Sequence, residues 1–171
     1  AQLTLTANQA VPKYNSEQLL ELRNFQQANL TEALNQLTTL GQSYPGARMI
    51  IAFDDSAGMI THLLFEKQIP IPDLVILVNP YREYEQLIDK SAQRKPIAEQ
   101  LVMMSVPILD LISNDANPLA LENAPTRKQY NSVKPTKYYR QYYLSLDLDN
   151  SGGWEEALTR IEGFARSVIN R

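Results

Sequence analysis

The chain has 171 residues, of which 44% are hydrophobic and 20% are charged, so it has the composition of one ordinary globular domain. The formal net charge is -3 and the basic residues are scattered, which argues against a nucleic-acid-binding surface. Cysteine is absent, which excludes disulfides, thiolate zinc sites and cysteine nucleophiles. No apolar run is long enough to span a membrane, and the first residues lack the pattern of a signal peptide.

The first third of the sequence predicts two strands separated by a long helix. Residues 2–6 alternate with a period of two and are rich in threonine and leucine, as expected for a strand. Residues 15–18 resemble a capping box and predict a helix that continues to about Leu40. Met49–Phe53 is an apolar run without alternation, which is typical of a strand covered on both faces. A tight turn around residues 54–58 leads into a helix over residues 57–67.

The rest of the sequence continues this alternation of strands and helices. Buried strands are predicted at residues 73–80 and 106–113, and a last strand at residues 138–147. Helices are predicted at residues 97–104, at residues 119–133 with an interruption near Pro125, and over the apolar stripe that runs from residue 154 to residue 168. This order predicts an α/β fold, with a mostly parallel sheet of about five strands and helices on both faces.

Polar residues cluster where the predicted strands end. In a parallel sheet the carboxyl ends of the strands form the binding crevice, so we expect these side chains to converge. They are Asp54, Asp55, Ser56, Asn79, Asn114, Asp115, Asp149 and Asn150. Four of them are candidate binding residues, namely Asp54, Asp55, Asn79 and Asn114.

The segment after the first buried strand matches a catalytic motif in part. Ser56-Ala57-Gly58 fits the second half of the small-x-Ser-x-Gly pattern of a nucleophile elbow, although Asp54 stands where the first small residue is expected. In such an elbow one side chain is raised above the sheet and faces the N-terminus of the next helix. A helix N-terminus favours an anion or an oxyanion at that point.

With this elbow and the strands that follow it, the sequence resembles the second half of an α/β-hydrolase. Residues 73–78 look like the strand after the elbow helix, and residues 106–115 look like the strand and loop that carry the triad acid. The resemblance therefore implies Ser56 as nucleophile, Asp115 as triad acid, and Asn150 at the position of the triad histidine. The ending over residues 147–156 is similar to that of a little-characterised bacterial, largely envelope-associated, hydrolase-like family of unknown function. By this resemblance the chain is a single domain over residues 1–171, either a reduced version of the fold or a fragment of a larger domain.

Two departures from the hydrolase pattern bear on function. The only histidine, His62, lies six residues beyond Ser56 on the predicted helix, too far to serve a relay that needs the imidazole within about 3 Å of the hydroxyl. Asp54 and Asp55 place negative charge beside Ser56, which would oppose an oxyanion. We therefore expect a catalytically degenerate α/β-hydrolase-like protein that acts in binding or assembly. The alternative is an active esterase or acyl hydrolase that uses Ser56 with an unconventional or externally supplied base.

A third interpretation is a metal- or anion-binding α/β module that uses the crevice of Asp54, Asp55 and Asp115. A calcium site is a separate possibility. Asp147, Asp149 and Ser151 fit the first half of a calcium loop, but Leu158 replaces the glutamate that closes such a loop at position twelve. The calcium interpretation is therefore the weaker one, and the sequence predicts no cofactor.

The partners and the compartment are predicted only indirectly. An unpaired sheet edge tends to recruit another strand, so we expect a homodimer or a protein partner that covers the strand around Leu3 and Leu5. We expect no nucleic acid and no membrane span. The family resemblance and the absence of cysteine favour the periplasm or cell envelope, with the cytoplasm as the alternative.

Overall fold

A computed structural model describes residues 15–82, 95–133 and 138–169. The strand predicted at residues 2–6 lies outside these residues. Four strands form one sheet within them: β1 (Met49–Phe53), β2 (Leu74–Val78), β3 (Ile108–Ile112) and β4 (Tyr139–Tyr143). All neighbours are parallel and the strand order is β1-β2-β3-β4. The predicted α/β class with a parallel sheet is therefore confirmed.

Five helices are found in the described residues. They are α1 (Ser16–Gly41), α2 (Asp54–Phe65), α3 (Ile97–Met103), α4 (Pro118–Val133) and α5 (Ser151–Ile169). The predicted capping box of α1 is confirmed, since the Asn15 side chain accepts from the Gln18 backbone N–H and the Gln18 side chain accepts from the Asn15 N–H. No helix in these three ranges combines the length and the apolar character that crossing a bilayer requires.

The two faces of the sheet bury separate apolar clusters. The first face packs against residues of α1, α2 and α3, with Leu63, Val75 and Leu101 in its core. The second face packs against α5, with Ile76, Leu109 and Phe164 in its core. Because the strands follow one another in order across the sheet, right-handed crossovers place the connecting helices on one face. Helix α5 follows the last strand and returns over the other face, so the predicted helices on both faces are confirmed.

Three of the differences between the predicted and observed elements bear on the site and on the packing. Helix α2 begins directly at Asp54, so no separate loop stands between it and β1. Strand β4 ends at Tyr143, although the Leu144 N–H still donates to Ile112 of β3, and the Ser145 N–H that follows donates to the Glu156 carboxylate of α5. Helix α4 continues through Pro125 without the predicted interruption. Its buried face at Ala120, Ala124 and Arg127 compensates for the hydrogen bond that the proline cannot donate.

Candidate functional site

The turn from β1 into α2 falls on Asp54. Its φ of 53° lies in the left-handed region, whereas Phe53 before it is extended, so the chain reverses at this one residue. Aspartate enters that region more readily than most residues because its short polar side chain can form local hydrogen bonds. Asn79, directly after β2, also has a left-handed φ, of 52°. Two neighbouring strands thus end in the same strained way at the carboxyl edge of the sheet.

Ser56 occupies a different place from that turn. It lies in the first turn of α2, with an exposed side chain, two residues beyond the chain reversal. His62 is buried six residues farther along the same helix, which corresponds to about 9 Å along the helix axis. The structure therefore brings Asp54, and not Ser56, to the elbow, and it does not bring His62 to the edge of the sheet.

Two other carboxylates place negative charge near the Asp54 carboxyl group. Partial burial of its carboxyl group raises the pKa of Asp54, and the carboxylates of Asp115 and Asp55 raise it further. Asp54 and Asp115 follow β1 and β3, which lie on either side of β2, so the two carboxylates flank the end of that strand, near enough for the charge of Asp115 to raise the pKa of Asp54. This charge makes the elbow unfavourable for a developing oxyanion.

Asp115 is held at the end of a chain of hydrogen bonds. The buried Asn79 amide donates to the Ser113 hydroxyl over 2.9 Å, and the Ser113 N–H donates to the Asn79 side chain over 2.9 Å. The Ser113 hydroxyl in turn lowers the pKa of Asp115, and the backbone N–H groups of Leu148 and Asp149 add to that effect. The environment thus raises the pKa of Asp54 and lowers the pKa of Asp115, so Asp54 holds a proton more readily than Asp115 does.

Asn150, at the predicted histidine position, has a structural role. Its side chain accepts a hydrogen bond from the Gly152 N–H over 2.9 Å, and its carbonyl oxygen accepts from Gly153 and Trp154. These are the contacts of a residue that caps the N-terminus of α5. Asp149, one residue earlier, approaches the site through its backbone, because its N–H donates to the Asp115 carboxylate over 3.2 Å.

Two other predicted binding residues contribute less to this arrangement. Asp55 forms an ion pair with Arg23 of α1, which ties α1 to the start of α2. Asn114 lies exposed in the turn that follows β3.

An aromatic pair lies next to the elbow on the second face of the sheet. The ring centroids of Phe53 and Trp154 are 5.7 Å apart and the rings are tilted by 60°. That pair forms an apolar wall between the end of β1 and the start of α5.

The sequence reasoning missed a buried ionic network below the site. Asp110 is fully buried in β3, and Arg127 of α4 donates to its carboxylate over 2.8 Å and 3.4 Å. The Tyr139 hydroxyl and the Gln141 amide also donate to Asp110. Arg127 reaches on to the carbonyl oxygen of Pro80 over 3.2 Å, which ties the network to the segment after β2. A single aspartate inside the apolar run of residues 108–112 was the signal that could have revealed it.

The charges inside this network stabilise one another. Burial alone would lower the pKa of Arg127, but the charge of Asp110 and its hydrogen bonds raise it above the ordinary value. Burial raises the pKa of Tyr139, and the charge of Asp110 raises it further, so the phenol stays protonated and remains a donor. The network therefore positions β3, β4 and α4 rather than supplying a titrating group.

The acidic residues do not assemble into a metal site within residues 15–82, 95–133 and 138–169. No group of three or more histidine, aspartate or glutamate side chains there is placed to hold an ion. In the weak calcium candidate, the Asp147 carbonyl oxygen accepts from the Asn150 N–H, and Ser151 opens α5. The segment is thus a polar turn that leads into a helix.

We expect that Asp54→Asn raises the melting temperature at pH 7. A carboxyl group with a raised pKa weakens the folded state once it is ionised, so removing the charge stabilises the fold at neutral pH. The gain in melting temperature should vanish as the pH falls below 3.8, the ordinary pKa of an aspartate, because the carboxyl group is then protonated in both the folded and the unfolded state. Asp54→Ala should gain less, because alanine in the left-handed region costs roughly 1–2 kcal/mol. Thermal unfolding of the three proteins at pH 7 and pH 3 checks this, and equal curves at pH 7 would contradict it.

Comparison with known proteins identifies a family. No curated protein and no solved structure matches the chain. The model of a family described as a protein of unknown function (DUF3530) matches residues 1–167, nearly the whole chain. The chain therefore belongs to the DUF3530 family.

Proposed function

We propose that this protein is a catalytically degenerate α/β-hydrolase-like domain whose carboxyl edge binds rather than hydrolyses its ligand. One observation carries the proposal: the residue at the strand-to-helix reversal is Asp54, in the position that a nucleophilic serine takes in a nucleophile elbow. Ala52 and Ser56, two residues before and two residues after it, then supply the small residues of the motif. The hydrolase relationship is part of the proposal.

The same site lacks the groups that a serine relay needs. The chain has one histidine, and it is buried along α2 away from the elbow. Asp115, to which the resemblance assigns the triad acid, is an exposed carboxylate that accepts from the Asp149 N–H, whereas Asn150 caps α5 and an amide cannot accept a proton at neutral pH. Asp54 adds a charge that opposes an oxyanion. The site thus keeps the acid of a relay without the nucleophile and the base.

The experiment restores the two missing groups. We expect the wild-type protein to remain unlabelled by a fluorophosphonate probe, which reports an activated serine without requiring the correct substrate. Asp54→Ser combined with Asn150→His should acquire labelling, together with hydrolysis of a p-nitrophenyl ester about a hundredfold above the wild type. Because Asn150 also caps α5, Asp54→Ser combined with Asp149→His serves as a second double variant, which leaves the cap in place.

Matched variants distinguish this proposal from an active serine hydrolase. Asn150→His alone should remain inactive, since Ser56 lies in the helix beyond the elbow. Labelling of the wild-type protein that disappears in Ser56→Ala would overturn the proposal and assign catalysis to Ser56 with another base. If neither restored variant reacts although both are folded, the hydrolase relationship itself loses its support.

A further inference from the structure

The three residues that follow β2, residues 79–81, form a short strap at the carboxyl edge of the sheet. At one end the buried Asn79 side chain exchanges two hydrogen bonds of 2.9 Å with Ser113, directly after β3. At the other end the strap lies against α2, where a Cβ on Gly58 would overlap the Tyr81 carbonyl oxygen. The strap is therefore held against β3 on one side and against α2 on the other.

Both carboxylates of the candidate site contact the strap or its anchor. The Tyr81 N–H donates to the Asp54 carbonyl oxygen over 3.4 Å. The Ser113 side chain, which Asn79 holds, hydrogen-bonds to Asp115 and lowers its pKa. Asp54 has a φ of 53°, and a residue in that region keeps its conformation only where its surroundings hold it. The place of the strap thus bears on both carboxylates.

Arg127 holds the middle of the strap from the buried side. Its Nε and Nη2 donate to the Asp110 carboxylate over 2.8 Å and 3.4 Å, and its Nη1 donates to the Pro80 carbonyl oxygen over 3.2 Å. Both charged side chains are at most 1% exposed. The planar guanidinium carries its donors in a fixed fork, so the bonds to Asp110 determine where the third donor points. The buried ion pair thereby aims one N–H group at the strap.

A single peptide group carries this contact on to the elbow. The Pro80 carbonyl and the Tyr81 N–H belong to the same planar unit, in which oxygen and hydrogen point in opposite directions. The oxygen accepts from Arg127, and the N–H donates to the Asp54 carbonyl oxygen. A rotation of this plane at one end must therefore move the other end. Hydrogen bonds linked in this way also polarise one another, so the guanidinium charge makes the Tyr81 N–H a stronger donor.

Stability alone does not account for an ion pair at this place. Two buried charges lose their hydration, and apolar residues of similar volume often stabilise a fold equally well. Apolar side chains at residues 110 and 127 could not supply a hydrogen bond to the Pro80 carbonyl oxygen. The direction of that bond is therefore what the ion pair adds to an apolar core.

We propose that Arg127, oriented by Asp110, is a positioning residue of the candidate site. It fixes the Pro80–Tyr81 peptide group, and through that group it fixes the chain reversal at Asp54. The network buried between β3 and α4 thereby controls the elbow. The inference rests on the proposed function only in taking Asp54 as part of the binding site, because the coupling itself rests on the hydrogen bonds of the strap.

The test removes the hold on the strap while no buried charge is left unpaired. Asp110→Leu combined with Arg127→Met replaces both charges by apolar groups of similar volume, so the fold should remain. Two NMR signals report the elbow: the chemical shift of the Tyr81 amide proton, and the pKa of Asp54 read from its carboxyl carbon resonance. We expect the Tyr81 amide proton to move upfield in the double variant, because its hydrogen bond to Asp54 lengthens.

The pKa of Asp54 should change in a defined direction. Burial of its carboxyl group and the charges of Asp115 and Asp55 raise this pKa in the wild type, and Asp55 is itself paired with Arg23. An elbow that loosens exposes the carboxyl group, so the pKa should fall toward 3.8. The removed pair carries one negative and one positive charge in direct contact, so its loss leaves the net charge around Asp54 unchanged. A fall in this pKa therefore reports movement of the elbow.

Ile161→Ala is the matched control. Ile161 is buried on the second face of the sheet, so alanine leaves a cavity that lowers stability without touching the strap. Both signals should keep their wild-type values in this variant. If they change in Ile161→Ala as much as in the double variant, they follow stability alone, and the proposal is overturned.

Unchanged signals in the folded double variant would also overturn it. Asp110→Asn combined with Arg127→Met repeats the test with an acceptor kept for the Tyr139 hydroxyl, should the first double variant not fold. In the wild type the Tyr81 amide should exchange with solvent roughly tenfold or more slowly than an open amide, and fast exchange there would contradict the coupling. None of these signals uses a ligand or the fluorophosphonate probe, so they are decided separately from the proposed function.

Discussion

Replacing Asp110 with alanine should lower the free energy of unfolding by about 3–5 kcal/mol, because it leaves the guanidinium of Arg127 buried without its counter-charge. The Tyr139 hydroxyl would lose its acceptor as well, and an unsatisfied buried donor adds to the loss. Urea unfolding followed by far-ultraviolet circular dichroism gives the value.

The double variant Asp110→Leu with Arg127→Met tests whether the ion pair itself stabilises the fold, or whether the loss in Asp110→Ala comes from leaving Arg127 buried without a partner. Replacing both charges of a buried pair by apolar groups of similar volume is often close to neutral, so the double variant should recover most of the stability that Asp110→Ala loses. Lys128→Ala, next to Arg127 but on the exposed side of α4, should change the stability by less than about 0.5 kcal/mol. A small effect of Asp110→Ala would mean that Arg127 reaches water or another acceptor when its partner is removed.

The elements of the fold could be predicted because hydrophobic periodicity determines them. Leu74–Val78 is a short apolar run without alternation, and it is the covered strand that this pattern predicts. Met49–Phe53 has the same pattern and is also a strand, but the prediction that it is covered on both faces is wrong, because Met49, Ile51 and Phe53 are 39–44% exposed. Boundaries were less predictable where side-chain contacts decide them. Strand β4 ends before its predicted boundary, where Ser145 bonds to Glu156 of α5, and the buried face of α4 carries the helix past Pro125.

The edge of the sheet at which the candidate residues lie could be predicted, but the arrangement of their side chains could not. Asp54 and Asp115 lie at the carboxyl ends of β1 and β3, on the same edge of the parallel sheet, and the charge of Asp115 raises the pKa of Asp54. The sequence could not show which residue of the segment 54–58 forms the chain reversal, because both aspartate and serine are compatible with a turn before a helix. It also could not show that Asp110 meets Arg127, since a contact between residues 17 apart depends on tertiary packing. The catalytic assignment of Ser56 and the envelope location stay predictions.

Gly58→Ala should destabilise the protein by about 1–3 kcal/mol, although alanine is the better helix former. A Cβ at residue 58 would overlap the carbonyl oxygen of Tyr81, which is backbone and cannot rotate away. The same segment also contacts the elbow, because the Tyr81 N–H donates to the Asp54 carbonyl oxygen over 3.4 Å. Relief of the overlap must therefore move the first turn of α2, and Asp54 with it.

Gly163→Ala should have the opposite effect on stability. A Cβ there meets no atom within 4 Å, so alanine in the interior of α5 should add about 0.5–1 kcal/mol of stability. Trp154 is the only tryptophan and contacts Phe53 beside the elbow, so its fluorescence reports unfolding close to the site in both variants. If the two substitutions shift the urea midpoint in the same direction, the close contact between α2 and the segment after β2 is not what requires glycine at residue 58.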